Sequence, residues 1–274
     1  MSDHLSPVFD AASAVLGWLV ETVLRVLIAP PGWSGEGGEM GYLYPEAAHP
    51  FVVVFNFVGL TWALQRDWRS CLIVACGFLF ILNQRYWEPT AESLALILVA
   101  GVLCMGMGVP LGIAAAHRPK LSRALTPILD LMQTLPTFVY LIPAIVFFGL
   151  GMVPGLVATV IFVLPASIRA TRLGVESTPP SLLEAATAFG ATPLQRLLKV
   201  ELPSAWPQIM AGLNQTIMLS LSMVVISALV GASGLGVPVV RALNTVNAAL
   251  GFESGLVIVA LAISLDRMLK VRLK

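Results

Sequence analysis

Long apolar stretches, bounded by charged residues or by clusters of Pro and Gly, recur along most of the chain. Such stretches are typical of membrane-spanning helices, which need about 20 apolar residues to cross a bilayer. The pattern predicts seven spans, at residues 50–65, 69–84, 92–116, 127–149, 152–173, 203–231 and 248–268. The first two are short, and we interpret them as two spans because a charged turn at residues 65–69 separates them.

A different pattern precedes these spans, at residues 8–29. Small or charged residues recur there every four positions, namely at Ser13, Gly17, Glu21 and Arg25. This stripe predicts an amphipathic helix that lies in the membrane interface or against other helices, and a full crossing is also compatible with it. Glu21 and Arg25 are spaced to form an ion pair on this helix. A linker rich in Gly and Pro follows, which no regular element tolerates.

The composition agrees with a membrane protein, since 57% of the 274 residues are hydrophobic and 11% are charged. Soluble proteins carry about 25% charged residues, so this balance excludes a soluble globular domain. The formal net charge of +1 excludes the basic surface that nucleic-acid binding requires. Cys71, Cys76 and Cys104 lie in apolar stretches without a CxxC pair, and we interpret them as small buried residues. The predicted fold class is an all-α, polytopic helical bundle in the membrane.

The distribution of basic residues between the predicted loops sets the orientation. If the spans alternate, eleven Lys and Arg residues fall on one side, and Arg85 and Arg241 fall on the other. The eleven are Arg66, Arg69, Arg118, Lys120, Arg123, Arg172, Arg196, Lys199, Lys270, Arg272 and Lys274. Because short cytoplasmic loops are enriched in Lys and Arg, we expect the loop at residues 174–202 and the C-terminus to be cytoplasmic.

The loop between the fifth and sixth spans contains EAATAFGATPLQRLLKVELP at residues 184–203, which we call the EAA segment. Its pattern predicts a short amphipathic helix, a break at the GATP sequence, and a second helix before Pro203 opens the next span. Gly190 suits the tight geometry at the end of one helix, and Thr192 can cap the next, with Pro193 at its first position. This composition is also typical of an amphipathic loop that covers the membrane interface.

The EAA segment resembles the EAA signature of ABC-importer permeases, in which EAA, Gly, an aliphatic residue and Leu-Pro stand at fixed offsets. The matching residues are Glu184, Ala185, Ala186, Gly190, Val200, Leu202 and Pro203. The resemblance implies that the segment couples the permease to an ATPase subunit, with Ala191, Thr192 and Pro193 in the turn of the coupling element.

A wider resemblance, over about residues 90–270, is to the permeases of glycine betaine and proline betaine importers. It rests on LDLMQTLPTFVYLIP at 129–143, AGLNQTIMLSLSM at 211–223 and GASGLG at 231–236. It implies a type I ABC importer permease fold in the inner membrane, a homodimer with two ATPase subunits that hold ATP and Mg, and a substrate-binding protein. The implied substrate is a small quaternary or methylated amine, such as glycine betaine, proline betaine, choline or trimethylamine N-oxide.

The chain is accordingly expected to have three parts. These are an N-terminal helix with its linker (1–49), two N-terminal spans (50–89), and a permease core (90–270) with the coupling loop at 174–202.

Four polar side chains within the predicted spans are candidates for the translocation path, namely Asp130, Gln133, Asn214 and Gln215. An ionisable group such as Asp130 is costly in a membrane unless it faces protein, water or a partner. A structural hydrogen bond and a role in the path are both open for it. The three amides either bond between helices, which is their commoner use, or line a passage.

Two aromatic residues, Phe138 and Tyr140, lie between Pro136 and Pro143 in the fourth span. The prolines predict a kink that frees backbone carbonyl groups, which only a protein-lined cavity can satisfy. Aromatic rings beside such a break suit a quaternary ammonium ion, although rings in membrane helices usually pack on their neighbours. Both residues are therefore candidates for the path.

The sequence has no GxxxxGK[ST], HExxH or GxSxG motif, so it predicts a translocation subunit that is not itself an enzyme and binds no cofactor or metal. Gly231, Gly234 and Gly236 lack the spacing of a dinucleotide fingerprint and predict an extracytoplasmic turn. An autonomous secondary transporter and a membrane scaffold for a soluble partner are the alternative functions. A secondary transporter would show an internal repeat and ionisable groups near mid-membrane, and the sequence shows neither.

Overall fold

The computed structural model describes residues 6–28 and 48–270, so most of the predicted linker at 30–49 lies outside the described residues, as do Arg272 and Lys274. The α-helices in the described part are α1 (Ser6–Ile28), α2 (Ala48–Gln65), α3 (Trp68–Asn83), α4 (Trp87–His117), α5 (Pro119–Thr134), α6 (Thr137–Phe148), α7 (Met152–Glu176), α8 (Pro180–Ala188), α9 (Pro193–Arg196), α10 (Leu202–Ser227), α11 (Gly236–Asn244) and α12 (Ala248–Leu269). A π-helical turn (Leu197–Glu201) joins α9 to α10, and a 3-10 turn (Ala228–Val230) follows α10.

Five helices among the described residues are long and apolar enough to cross a bilayer: α1, α4, α7, α12 and the continuous helix from Pro193 to Val230. The pair α5 and α6 also qualifies when it is taken as one bent span. The helices α2 and α3 form where the sequence predicts them, but they are shorter, with 18 and 16 residues. The prediction of an all-α, polytopic membrane fold is confirmed.

The span at 127–149 is bent, as its prolines predict, because the structure divides it into α5 and α6, which meet at 95°. The break follows from Pro136, which has no N–H group for the carbonyl of Met132. A proline also disfavours helical backbone at the residue before it, and Leu135 is extended, with ψ 138°. The helix restarts directly after Pro136, and Pro143 is accommodated inside α6.

The hydroxyl group of Tyr140 fills the gap that this break leaves. It donates to the carbonyl oxygen of Met132 at 2.8 Å, and the carbonyl oxygen of Leu131 lies 3.4 Å away. Met132 is the residue whose helical donor would be the missing N–H of Pro136. The ring of Tyr140 is buried in a cluster that includes Ala158 of α7. The predicted freed carbonyl is therefore confirmed, and the side chain that satisfies it comes from the next helix.

The helix α7 packs between α4 and α10 at the centre of the fold. Small residues at the crossings let these helices approach closely. Gly108 of α4 lies against Ser167, whose hydroxyl donates to the carbonyl oxygen of Cys104 at 2.9 Å. Gly212 of α10 lies against Ala170 on the other side of α7. Close packing and hydrogen bonds of this kind drive helix association in membranes, where the hydrophobic effect contributes little between helices.

The helices α2 and α3 form a hairpin, and α3 packs along α12. The predicted polar turn between them is confirmed, because the carboxylate of Asp67 accepts from the N–H of Arg69 at 3.3 Å and caps α3. The amide of Gln65, at the end of α2, donates to the carbonyl oxygen of Met268 at 3.1 Å, which fixes the hairpin to the end of α12.

The prediction that all three cysteines are buried is wrong. Cys104 is buried, but Cys71 is half-buried and Cys76 is exposed. The reason is that α3 buries only the face that carries Val74, Phe78 and Ile81.

The helix α1 packs against α4, α6 and α7. Val20 is buried, and the ring of Phe9 stacks on that of Phe147 with the ring centroids 4.5 Å apart. The predicted ion pair between Glu21 and Arg25 is present at 3.6 Å. The predicted helix and its contact with other helices are therefore confirmed, and its length and composition also permit a crossing.

The glycines after α10 form the predicted turn. Gly231 and Gly234 have φ angles of 84° and 122°, which side-chain-bearing residues rarely adopt. Gly234 lies against Ser93 of α4, whose hydroxyl oxygen accepts from the N–H of Leu235 at 2.8 Å. Gly236 then begins α11, a short helix that the sequence analysis did not predict.

Candidate functional site

The first half of the EAA segment ends α8 in a Schellman motif. The N–H of Gly190 bonds to the carbonyl of Thr187 at 2.9 Å, and the N–H of Ala191 bonds to that of Ala186 at 3.0 Å. Gly190 has φ 74°, a conformation that costs other L-residues about 1–2 kcal/mol. A Cβ atom there would have no neighbour within 4 Å among the described residues. Glycine is therefore required by the backbone conformation of the turn, and not by a lack of space around it.

The second half of the segment begins with a capping box, which confirms the predicted cap at Thr192. The N–H of Gln195 donates to the hydroxyl oxygen of Thr192 at 3.3 Å, and the side-chain oxygen of Gln195 accepts from the N–H of Thr192 at 2.9 Å. Pro193 occupies the first helical position, as predicted. The sequence analysis did not identify Gln195, although Thr followed three residues later by Gln is the sequence signal of a capping box.

The prediction that Pro203 opens a separate span is wrong. The helix is continuous from Pro193, through the π-helical turn Leu197–Glu201, to Val230. In this turn the N–H of Leu202 bonds to the carbonyl five residues back. Pro203 lacks an N–H for the carbonyl four residues back, and the wider turn accommodates the proline without a break. The second half of the EAA segment is therefore continuous with a helix that is long and apolar enough to cross a membrane.

Several apolar side chains of this segment and of α8 are not covered by any part of the chain that the structure describes. Phe189 is 92% exposed and Leu194 is 64% exposed, on either side of the turn. The helix α8 has no buried residue among those it contains. Glu184 and Ala185 are exposed, as is Pro203, whereas Leu202 is half-buried. An exposed apolar surface on a rigid turn is typical of a protein–protein or membrane contact.

A buried carboxylate links this segment to α4. The Glu201 side chain is 4% exposed, and its Oε1 atom accepts from Nε of Arg196 at 2.9 Å. Its Oε2 atom forms an ion pair with Nε2 of His117, at the end of α4, at 2.7 Å. The other ring nitrogen of His117 lies 2.9 Å from the carbonyl oxygen of Ile113.

No local sequence pattern reveals this network. Glu201 stands at an unspecified position of the EAA signature, between Val200 and Leu202. His117 is distant in sequence, so no local pattern connects the two residues. The available signal was an acidic residue directly before the apolar stretch of α10, because a carboxylate needs a partner when it is buried.

Among the candidate path residues, Asp130 has a partner that the sequence analysis did not identify. Its Oδ1 atom lies 2.6 Å from Nη2 of Arg169, which belongs to α7. The two side chains are 57% and 44% exposed, so the pair lies on the surface of this chain. Arg169 falls inside the predicted span at 152–173, where its charge interrupts an apolar stretch and was the signal that could have identified it.

The other candidate path residues do not share one environment. Gln133 is half-buried on α5, and Phe138 is 58% exposed on α6, whereas the Tyr140 ring is buried. The side-chain amide of Asn214 donates to Oδ1 of Asp266 at 3.1 Å, which links α10 to α12. Gln215, the next residue of α10, is exposed.

The residues of the candidate site form an exposed apolar surface at Phe189 and Leu194, and ion pairs at Glu201 and Asp130. Within residues 6–28 and 48–270, no three side chains of His, Cys, Asp or Glu are grouped so that they could hold a metal ion.

The part of the chain that contains these features matches a known protein family. The profile of the family described as "Binding-protein-dependent transport system inner membrane component" matches residues 108–271. This range contains the EAA segment, the Asp130–Arg169 pair and the Glu201 network.

Curated relatives extend the similarity towards the N-terminus. The chain is 50% identical over 212 residues to the glycine betaine transport system permease protein OpuAB of Bacillus subtilis, covering 77% of this chain and 75% of the relative. It is 40% identical over 262 residues to the glycine betaine/carnitine transport permease protein GbuB of Listeria monocytogenes, covering 95% and 87%. It is 37% identical to the trimethylamine N-oxide transport system permease protein TmoV of Ruegeria pomeroyi, covering 74% of this chain and 31% of the relative.

The fold is similar to that of a solved transporter. The chain superposes on the MetNI methionine ABC transporter, determined in inward facing conformations, with a TM-score of 0.58 and 27% identity. The match covers 65% of this chain and 91% of the other.

Proposed function

The chain belongs to the family of binding-protein-dependent transport system inner membrane components, and from this premise we propose that it is the permease of an ABC importer for small quaternary or methylated amines. The names of the relatives support the substrate class, since they specify glycine betaine, carnitine and trimethylamine N-oxide. Glycine betaine is our first candidate substrate, and proline betaine, choline and trimethylamine N-oxide share its chemistry. The permease moves its substrate without changing it chemically.

The observation that carries the proposal is the exposed apolar surface on the rigid turn of the EAA segment. Phe189 and Leu194 project from a turn whose backbone is fixed by the Schellman motif and the capping box. An exposed aromatic residue on a rigid support is typical of the few residues that dominate the energy of a protein–protein contact. On this proposal, the EAA segment docks on an ATPase subunit at the cytoplasmic surface, with Glu184, Ala185 and Ala186 in the helix next to the contact.

The proposed complex has two copies of this chain, two ATPase subunits and a substrate-binding protein on the opposite side of the membrane. ATP and Mg bind to the ATPase subunits, and this chain binds neither. The binding protein delivers the amine, and the permease opens alternately to each side.

Two connections would transmit a movement of the docked ATPase into the membrane. One is the continuous helix from Pro193 to Val230, which packs along α7. The other is the buried carboxylate of Glu201, which holds His117 at the end of α4. A shift of the EAA segment would therefore move α10 and α4 together, on either side of α7.

The proposed path uses accessible residues of α5, α6 and α10. Phe138 exposes its ring, and a cation over the face of a ring gains about 0.5–2 kcal/mol. Asp130 and Gln215 are exposed and Gln133 is half-buried, and we retain all three as candidates. Tyr140 and Asn214 already bond to Met132 and Asp266, so their proposed contribution to the path is to hold its walls.

The test of the proposed function is co-purification and transport with the ATPase and binding protein that the same cell supplies. Phe189→Asp should abolish co-purification of the ATPase and uptake of glycine betaine, because it places a charge in the proposed contact. Val246→Asp is the matched control, since Val246 is 89% exposed and follows α11, outside the EAA segment. It should retain the ATPase. Co-purification of the ATPase with Phe189→Asp at the wild-type level would contradict the proposal.

A further inference from the structure

A cavity of about 230 Å³ lies between α5 and α7, next to the end of α4. Asp130, Arg169 and Arg172 line it, together with the hydroxyl-bearing residues Ser122 and Thr126. A cavity of about 150 Å³ is large enough to hold benzene. The volume of this cavity therefore suits one small solute.

Two arginines of α7 line the cavity, and each of them forms an ion pair. Nη2 of Arg169 lies 2.6 Å from Oδ1 of Asp130, and Nε of Arg172 lies 2.7 Å from Oε1 of Glu176. A guanidinium group has five N–H donors in a planar fork that matches the two oxygens of a carboxylate. Asp130 and Arg169 are each about half exposed. A solute in the cavity can therefore contact both charged groups while the helices keep their positions.

The membrane restricts what this exposed pair can face. The helix α7 and the bent pair α5 and α6 are both candidate spans. Charged side chains within spans face the protein interior, a partner or a water-filled cavity, because contact with lipid hydrocarbon is costly. The cavity beside the pair therefore borders water or protein.

We propose that this cavity is a subsite for zwitterionic solutes, in which the solute carboxylate replaces Asp130 on Arg169 and the solute cation lies beside Asp130. The inference rests on the proposed function and narrows its substrate class to amines that also carry a carboxylate. The exchange converts one internal ion pair into two pairs with the solute, so no charge is left without a partner. A quaternary ammonium group has no N–H, so it needs only the negative charge of Asp130, whereas the carboxylate needs the donors of Arg169.

The experiment measures binding of radiolabelled glycine betaine to the permease–ATPase complex in lipid nanodiscs, with the binding protein omitted. We expect saturable binding in the wild-type complex. Carnitine, which has a carboxylate, should compete with it, and choline, which has none, should compete at least tenfold less well. Arg169→Gln should weaken binding about tenfold or more, because a hydrogen-bonded charge contact is lost. Arg241→Gln is the matched control and should bind normally, since Arg241 is an exposed arginine on α11.

A second variant covers the case in which Arg169→Gln fails to assemble. Arg169→Lys keeps the charge that pairs with Asp130 and loses the planar fork, so the preference for carnitine over choline should fall. The proposal is wrong if the wild-type complex shows no saturable binding, if choline competes as well as carnitine, or if Arg169→Lys keeps full affinity and selectivity.

Uptake by the complete importer separates this proposal from the proposed function. Wild-type uptake of glycine betaine together with any of those three results would overturn the subsite alone. Absence of ATP-dependent uptake of any amine by the wild-type importer would overturn the proposed function, and the subsite with it.

Discussion

His117 and Glu201 form an ion pair, 2.7 Å between Nε2 and Oε2, that joins the end of α4 to the helix of the EAA segment. The Glu201 side chain is 4% exposed, whereas His117 and Arg196 are each 36% exposed. The carboxylate is therefore the group that depends on its partners, because a buried charge without a partner is costly. If the carboxylate is removed, water can hydrate the side chains of His117 and Arg196.

Because Glu201 is buried and His117 is partly exposed, loss of His117 should destabilise the protein. His117→Leu should destabilise the protein by about 1–3 kcal/mol, since it leaves one oxygen of a buried carboxylate without its partner. The double variant with Glu201→Leu should lose less than the sum of the single variants. Thermal unfolding of the purified protein measures both effects. Arg25→Leu is the control, because its pair with Glu21 is exposed and should contribute less than about 1 kcal/mol. Additive losses in the cycle would contradict a direct link.

The left-handed conformation of Gly190 gives a second prediction. Gly190→Leu should leave the protein in the membrane but abolish uptake and the stimulation of ATP hydrolysis by loaded binding protein, because the strained turn would no longer present Phe189 correctly. Gly190→Asn should keep more activity, since Asn adopts this conformation readily. Glu184→Ala should cost less than Gly190→Leu, because Glu184 is an exposed charge. Normal uptake by well-expressed Gly190→Leu would remove the main support for coupling through this segment.

Tyr140 and Phe138 have different proposed roles in α6, because the Tyr140 hydroxyl group bonds to Met132 and the Phe138 ring is exposed. Tyr140→Phe removes the hydroxyl group and should destabilise the protein by about 1–3 kcal/mol, because the carbonyl freed by Pro136 loses its donor. Phe138→Leu should lower transport and leave stability nearly unchanged, because the ring is exposed and its interaction with a cation is lost. Paired measurements of thermal stability and uptake check both variants. Unchanged uptake in Phe138→Leu would assign this ring to packing.

The fourth prediction concerns orientation and depends on the basic residues of the loops. Gln195 is exposed in the EAA segment, so a cysteine placed there is accessible to a reagent. In a background without Cys71, Cys76 and Cys104, Gln195→Cys should be labelled from the cytoplasmic side only. Labelling of intact cells by an impermeant thiol reagent would reverse the proposed topology.

Hydropathy and capping residues predicted the helix boundaries and turns that depend on neighbouring residues in the sequence. The boundaries of α7 and α12 lie within a few residues of the prediction, and the turn at Gly190 and Thr192 has the predicted geometry. These features depend on neighbouring residues in the chain, since a glycine at a helix end and a threonine cap act within one helical turn.

The features that sequence analysis missed depend on contacts between distant parts of the chain. Pro136 predicted a kink, but the 95° angle depends on how α6 packs on α7. Arg169 and Asp130 belong to different helices, and so do His117 and Glu201. Nothing in a local pattern selects one partner for a charge among several, because the choice is made when the helices pack.

The helix from Pro193 to Val230 is unbroken, so a rotation at one end would displace the other end. Its 38 residues span about 57 Å at 1.5 Å per residue. A tilt of about 5° around one end would displace the other by roughly 5 Å, which is close to one helical turn. A small rotation at the EAA segment is therefore amplified at the far end of α10, beside the glycine turn that leads into α11. On the proposed coupling, the stiffness of this helix would let a modest movement of the EAA segment open or close a passage at the other end of α10.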